Sequence, residues 1–251
     1  MSKVKNIAIA VVGVIAVSGY FIVNTALEDE SVYAPAVDMG QVDWSAIATW
    51  PPLNDLDEVE SLPDPNRTFT VIILDDSGSM GSDIDPAKQA VLQAVRMMSP
   101  NDRVGVLALN AGELLSVTAA DEASDLLPSR LSPVYATGST PLGAALAAAR
   151  DLLSEEAARA RAFGTYRVII TTDGAADDPD RLIKEVAQTV NTTPIQVATI
   201  GIGIGPRHVL NAAGHTSYVA VDNVDKLSEA LQAAVAENPD FAPITAFGED
   251  N

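Results

Sequence analysis

Cysteine is absent from this chain, and histidine nearly so, with two in 251 residues. The first absence excludes disulfides, thiolate metal sites and cysteine nucleophiles together, so stability has to come from packing. It leaves the compartment open, because an exported domain of this size needs no covalent staples. The second leaves a serine nucleophile short of a base, since only His208 and His215 could serve. Basic side chains are scarce as well: 15 Lys and Arg stand against 34 Asp and Glu, a formal net charge of −19. So acidic a chain repels phosphate backbones, which excludes nucleic acid as a partner. The same acidity suits cation binding, a basic partner surface or plain solubility. There is no internal repeat and no low-complexity run.

A long apolar run occurs once. Residues 7–27, IAIAVVGVIAVSGYFIVNTAL, carry no charge, follow Lys3 and Lys5, and precede Glu28, Asp29 and Glu30. As a helix this run would be roughly 31 Å long, enough to cross the ~30 Å hydrocarbon core. Positive flanks stay in the cytoplasm, so the expectation is a single-pass anchor with everything downstream extracytoplasmic, periplasmic or at the cell surface. A cleaved signal peptide has a shorter apolar region ending in small residues of A-x-A type, which Asn24-Thr25-Ala26 matches poorly. An uncleaved anchor over residues 1–27 is therefore expected.

Residues 28–64 hold ten acids, no Lys or Arg, and Pro35, Pro51, Pro52 and Pro63, the composition of a self-repelling stalk. Trp44 and Trp50 sit poorly in a spacer, so VDWSAIATW is expected to dock on the domain as a short helix or strand. From residue 65 to 238 short β-branched runs alternate with helical spacing, and residues 239–251 form a tail. Strands are predicted at 68–74, 103–109, 114–118, 166–171, 195–200 and 217–221, and helices at 86–98, 122–131, 141–162, 179–191, 206–213 and 224–238. Asp85-Pro86, Thr140-Pro141 and Asp178-Pro179 each place a capping residue before a first-turn proline. Continuous rather than alternating apolar strands predict an α/β, doubly wound domain: a mostly parallel central sheet with helices on both faces. The short Gly-containing connection NAGE makes 114–118 one antiparallel edge strand.

In such sheets ligands bind outside the carboxyl ends of the strands. Asp75, Ser77 and Ser79 follow the first strand at alternate positions, Asp173 follows another beside Gly174, and Thr140 precedes a helix start. Carboxylates and hydroxyls converging without histidine or cysteine suit a hard divalent cation such as Mg²⁺. DDSGSM at 75–80, GSTPLG at 138–143 and TTDG at 171–174, in that order, resemble the von Willebrand factor type A domain with its metal-ion-dependent adhesion site. Gly138-Ser139 stands where that family often has Gly-Gly.

The resemblance covers roughly residues 68–238 and implies that Asp75, Ser77, Ser79, Thr140 and Asp173 hold Mg²⁺ or Mn²⁺, with Ca²⁺ possible. It implies that the hydroxyls bind the ion directly or switch on doing so, and that the aspartates bind it directly or through water. An open position would then take a Glu or Asp from a protein partner, and site movement would couple to the last helix. The function implied is metal-dependent protein binding or adhesion, with no catalysis and no small-molecule substrate. Asp76, Asp83, Asp85, Asp177 and Asp178 are expected to be caps and solvated rim. Two other readings compete. A serine hydrolase could use Ser77 or Ser79 with a late histidine, although both histidines are expected at the surface. A subunit of an ATPase-linked assembly would need the opposite orientation. GIGIGP, residues 201–206, is read as a strand-end turn rather than a dinucleotide fingerprint.

Overall fold

The computed structural model of the chain describes residues 39–52, 63–212 and 214–236. The expected membrane span, the greater part of the expected stalk and the tail at 239–251 lie outside them. Among the described residues no helix is long and apolar enough to cross a membrane.

Strand β1 (Thr68–Leu74) is buried at every position, as an unbroken apolar run requires when both faces of a sheet are covered. It pairs in parallel with β2 (Arg103–Ala108) on one side and β4 (Thr165–Thr172) on the other, so that Val71 lies opposite both Gly105 and Val168. Beyond β4 the sheet continues in parallel through β5 (Gln196–Ile202) and β6 (Ser217–Val221). At the other edge β3 (Gly112–Ala119) folds back antiparallel on β2, and the order is β3-β2-β1-β4-β5-β6. β3 exceeds the predicted 114–118 at both ends because pairing resumes at Gly112, whose φ of +76° closes the reversal.

Side-chain alternation along β1 divides the core into two layers. Ile72 and Leu74 join the cluster completed by α2 (Ile84–Met97), α3 (Ala120–Leu131) and α6 (Leu227–Ala236). Phe69, Val71 and Ile73 join the one completed by α4 (Leu142–Arg159) and α5 (Pro179–Thr192). Each fully buried Leu or Ile contributes about 1.5–3 kcal/mol, so layering on the sheet holds these helices more than propensity does. The alanine-rich α4 can lie very close to α5: a Cβ on Gly143 would sit 2.7 Å from the Leu182 backbone nitrogen.

Several expected helix boundaries are corrected. Of the predicted helix at 206–213, the described residues 206–212 form turns and bends instead, and residue 213 lies outside the described residues. They lie between Gly203 and Gly214, both at positive φ, and the His208 ring takes the Leu210 N–H at 3.1 Å that a helix would have used. α4 ends at Arg159, since Arg161 and Ala162 adopt φ of 53° and 61° and Ala162 N closes the last turn on Ala157 O at 2.7 Å. α2 already begins at Ile84, so Asp85 lies inside it and pairs with Lys88 at 2.6 Å. Thr140 does not cap α4 with its side chain. Asp178 does, accepting from Gly143 N and Ala144 N at 3.0 Å each, rather than capping its own helix α5.

The two tryptophans belong to a strap docked on the α4–α5 layer. Asp43 caps the single-turn α1 (Trp44–Ala48), and the Ser45 hydroxyl bond holds its carboxyl below the usual carboxylate range. Asp43 N donates to Asn191 O at 2.8 Å, and the Asn191 amide donates to Met39 O. Trp50 Nε1 donates to Ser154 Oγ at 3.1 Å. Its ring meets Tyr166 edge-on at 4.9 Å, and Tyr166 stacks on Phe69 at 5.0 Å. Trp44 itself stays exposed.

Candidate functional site

The sheet order reverses direction at β1, with β2 on one side and β4 on the other, and loops leaving the carboxyl ends of these strands frame a crevice. Asp75 stands at the end of β1 and is fully buried. Its Oδ1 accepts the Ser77 N–H at 2.9 Å and its Oδ2 accepts the Thr172 hydroxyl at 2.8 Å. The β1–β4 register sets Ile73 beside Ile170, and carrying it two residues onward brings Asp75 to Thr172. Parallel pairing thus orients the first carboxylate.

The next two serines face the second carboxylate. Ser79 Oγ donates to Asp173 Oδ1 at 2.8 Å, so at 3.0 Å it accepts from Ser77 Oγ, because a hydroxyl has one proton. Four of the five expected residues are therefore joined: Asp75 through the Ser77 backbone, then Ser77, Ser79 and Asp173 side chain to side chain. Neither Ser77 nor Asp83 caps the helical turns that follow, so the cluster has no capping duty.

Thr140 reaches the crevice through backbone ties. Its N–H donates to Asp177 Oδ2 at 2.7 Å and its carbonyl accepts from Asp177 N at 3.0 Å, which locks its loop to the one carrying Asp173. One turn earlier, Gly78 N donates to Gly138 O at 3.2 Å and Thr137 N donates to Asp76 O at 2.7 Å. The Thr140 side chain is buried, yet its hydroxyl makes no hydrogen bond among the described residues.

The cap-or-rim assignment fails for Asp76. Asp76 is buried, and its carboxylate accepts from Asn110 N at 2.7 Å, Asn110 Nδ2 at 3.1 Å and Ala111 N at 2.9 Å. Asn110 in turn bonds Ser139 N at 3.1 Å and Ser139 O at 2.9 Å. Gly138 passes so close that a Cβ there would lie 2.2 Å from Asn110 Oδ1, at a φ of +77° that also favours glycine. Asp177 is exposed, as a rim requires, and also holds Thr140, while Asp178 is a cap as expected, though of α4 rather than of its own helix. Their partners lie 34 to 37 residues away in sequence, beyond any local motif. Asp83 and Asp85 are exposed, as a rim requires.

Electrostatically the crevice is unbalanced toward negative. Burial pushes the Asp173 carboxyl above its ordinary range, and the nearby Asp75 and Asp83 charges push the same way, while the Ser79 hydrogen bond opposes them. No Lys, Arg or His pairs with Asp75 or Asp173 among the described residues. Two carboxylates, one fully buried and close to the other without a cationic side chain, fit a divalent ion. Among the described residues no three His, Cys, Asp or Glu side chains gather at one point. Here three of the five donors are hydroxyls, a set suited to a hard oxygen-seeking cation and to none that prefers nitrogen or sulfur.

The histidines do not complete a triad. His208 is half-buried rather than at the surface: its Nδ1 accepts the Leu210 N–H, so its Nε2 carries the proton and faces Gly174 O at 3.3 Å. Both nitrogens are engaged away from the serines. His215 is exposed at the other end of the sheet, before the start of β6. Burial depresses the His208 pKa, with the Gly174 bond opposing. Above about pH 6.5 folded and unfolded chains both keep this ring neutral. Below it the unfolded chain binds a proton that the folded one resists, so stability falls as pH drops toward the folded value. Asp173 acts in the opposite sense, its raised value favouring the folded state as acid is added. Urea midpoints at pH 7.5 and pH 5.5 should therefore fall further for the wild type than for His208→Asn, and equal changes would exclude His208 as the cause.

The family model of the von Willebrand factor type A domain matches residues 70–235. Among solved structures, the chain is similar to a von Willebrand factor type A protein from Catenulispora acidiphila, 20% identical with a TM-score of 0.58, covering 68% of this chain and 42% of that one. It is similar to the pilus adhesin SpaC from Lactobacillus rhamnosus GG, 12% identical with a TM-score of 0.54, covering 71% and 31%. It is similar also to the manganese-loaded TRAP protein of Plasmodium vivax, 18% identical with a TM-score of 0.52, covering 71% and 74%. The match thus spans less than half the length of the first two. At these identities the likeness is one of fold. No curated protein matches the sequence.

Proposed function

The chain belongs to the von Willebrand factor type A domain family, and on that premise we propose that it is a binding module that engages a protein partner through a divalent cation. The observation that carries this reading is the buried Asp75 carboxylate close to Asp173, joined to it through Ser77 and Ser79 and paired with no cationic side chain among the described residues. Asp75, Ser77, Ser79, Thr140 and Asp173 would hold Mg²⁺ or Mn²⁺, with Ca²⁺ as a weaker fit to so compact a set. When bound, the ion supplies a positive charge that attracts a Glu or Asp carboxylate of the partner. Asp76, Asp177 and Asp178 keep the three loops in register, so little of the binding energy goes into ordering them. The adhesin and the manganese-loaded protein among the structural relatives accord with this function. The apolar run at 7–27 would hold the module to a membrane with its crevice on the extracytoplasmic side.

Thermal unfolding with added Mg²⁺ or Mn²⁺, and the heat of titrating either ion into chelator-treated protein, test the site directly. An ion present at 100 times its Kd should stabilise the domain by about 2.7 kcal/mol, with one ion taken up per chain. Absence of both heat and thermal shift up to millimolar ion would remove the metal from the function. A further arm compares capture of envelope proteins with Mg²⁺ and with EDTA, where the proposal expects partners retained only with the ion.

A further inference from the structure

A groove of about 440 Å³ lies between α4 and the hairpin that joins β2 to β3, on the sheet face that α4 and α5 cover. Ala144, Ala148, Leu152 and Glu155 recur at helical spacing and make one continuous wall. Leu107 and Leu109 form the floor and belong to the same core layer as α4. Glu113 is the cross-strand partner of Leu107 and so shares its face of the sheet.

The rim is acidic. Glu113, Asp151 and Glu155 are exposed along it, and no Lys, Arg or His lines the groove among the described residues. Arg150 and Arg159 approach Asp151 and Glu155 only to 3.6 and 3.7 Å, and make their shorter bonds to Glu185 and Glu156. Apolar floor and anionic rim together complement a segment that is both apolar and basic.

The groove also adjoins the candidate site. On the hairpin side Asn110 and Ala111, which lie between the lining residues Leu109 and Gly112, are held by Asp76, next to Asp75. On the helix side Ala144 N is held by Asp178, whose neighbour Asp177 holds Thr140. From Ala144 to Glu155 the wall is about 16 Å long, which an extended chain covers in about five residues.

We propose, on the premise that the chain binds a protein partner, that this groove receives an extended partner segment next to the one whose carboxylate meets the ion. The side chains on its inward face, at alternate positions, are leucine-sized in the middle and Lys or Arg at the ends. The apolar pair covers Leu109, Ala148 and Leu152, while the basic ends reach Glu113 and Glu155. A second copy of this chain fits poorly, because its net charge of −19 repels the rim.

The probe is the peptide Lys-Ser-Leu-Ser-Leu-Ser-Lys, titrated into the full chain in detergent with EDTA present and followed through the methyl signals of Leu109 and Leu152. Those signals should shift and saturate, and the peptide with serine in place of both leucines should bind at least about tenfold more weakly. Ala148→Arg, which puts bulk and a like charge at an exposed position of the wall, should weaken binding at least about tenfold. Glu113→Gln with Asp151→Asn should weaken it about fivefold. Asp125→Asn with Glu229→Gln removes two exposed charges outside the groove and should leave binding unchanged. Equal binding of the serine peptide, or an equal loss in the remote double variant, would overturn the proposal by reducing the contact to net charge. So would methyl signals that stay still up to millimolar peptide. With EDTA present throughout, a failure here leaves ion uptake standing, and a chain that takes up no ion would still bind the peptide.

Discussion

Asp75→Asn is expected to lower divalent-ion affinity by about a thousandfold while leaving the ion-free fold as stable as before, or more so. The amide keeps the shape of the side chain: its oxygen can accept the Ser77 N–H, and its nitrogen can donate to a Thr172 hydroxyl that turns toward Gly174 O, 3.2 Å away. What disappears is one negative charge. At 4 Å and an effective dielectric near 20 a pair of unit charges is worth about 4 kcal/mol, roughly three decades of affinity. Without the ion that charge faces Asp173, whose carboxyl is already pushed upward in part by Asp75, so its loss relieves repulsion. Ion titration and thermal unfolding, each with and without chelator, separate the two effects. Retained affinity would show that the crevice carboxylates do not bind the ion. Lost affinity with a collapsed ion-free fold would show that Asp75 is structural.

Asp76→Ala should do the reverse, with the larger injury to the fold. Three donors from Asn110 and Ala111 converge on this carboxylate, and hydrogen bonds to charged groups contribute about 1.5–3 kcal/mol each. Asn110 is exposed enough for water to replace part of them, so the expected loss is about 3 kcal/mol. In a domain of this size that lowers Tm by roughly 10 °C. The loss extends to the site, because Asn110 positions Ser139 beside Thr140. Ion affinity should fall by about tenfold, as when a group that orients a metal ligand is removed. Urea unfolding and ion titration of the same variant read both outcomes. A loss below 1 kcal/mol would show that the loops hold one another without Asp76.

These two neighbours mark the boundary of what the sequence reveals. The four inner strands were legible because each is an apolar run of the length that a doubly covered sheet demands, the half-exposed edge strands β3 and β6 because they are short and β-branched, and the hairpin because a short turn joins 103–109 to 114–118. The five candidate oxygen donors were legible because they follow strands or precede a helix, where a doubly wound sheet gathers its loops. The duty of Asp76, the tie from Asp177 to Thr140 and the choice of helix that Asp178 caps were not, since a carboxylate before a helix or after a strand reads as a local cap or a rim until its distant partners are known. The missed end of α4 and the false helix at 206–213 have a related origin. Apolar spacing of three and four persists in both places, but positive φ angles at Arg161, Ala162, Gly203 and Gly214 break the backbone path.

The position of β1 sets how the domain would bear a mechanical load. A partner gripping the crevice pulls close to Asp75, at one end of β1, whereas tension arriving from the N-terminal side enters β1 at Thr68, its other end. Such a pull runs lengthwise along β1 itself, so most of the load passes through covalent backbone, and the ladders to β2 and β4 are sheared only by the share that reaches the crevice through other loops. The strap comes earlier on that route. Its few anchors at Asn191 and Ser154 would peel away first and release slack before the sheet is strained.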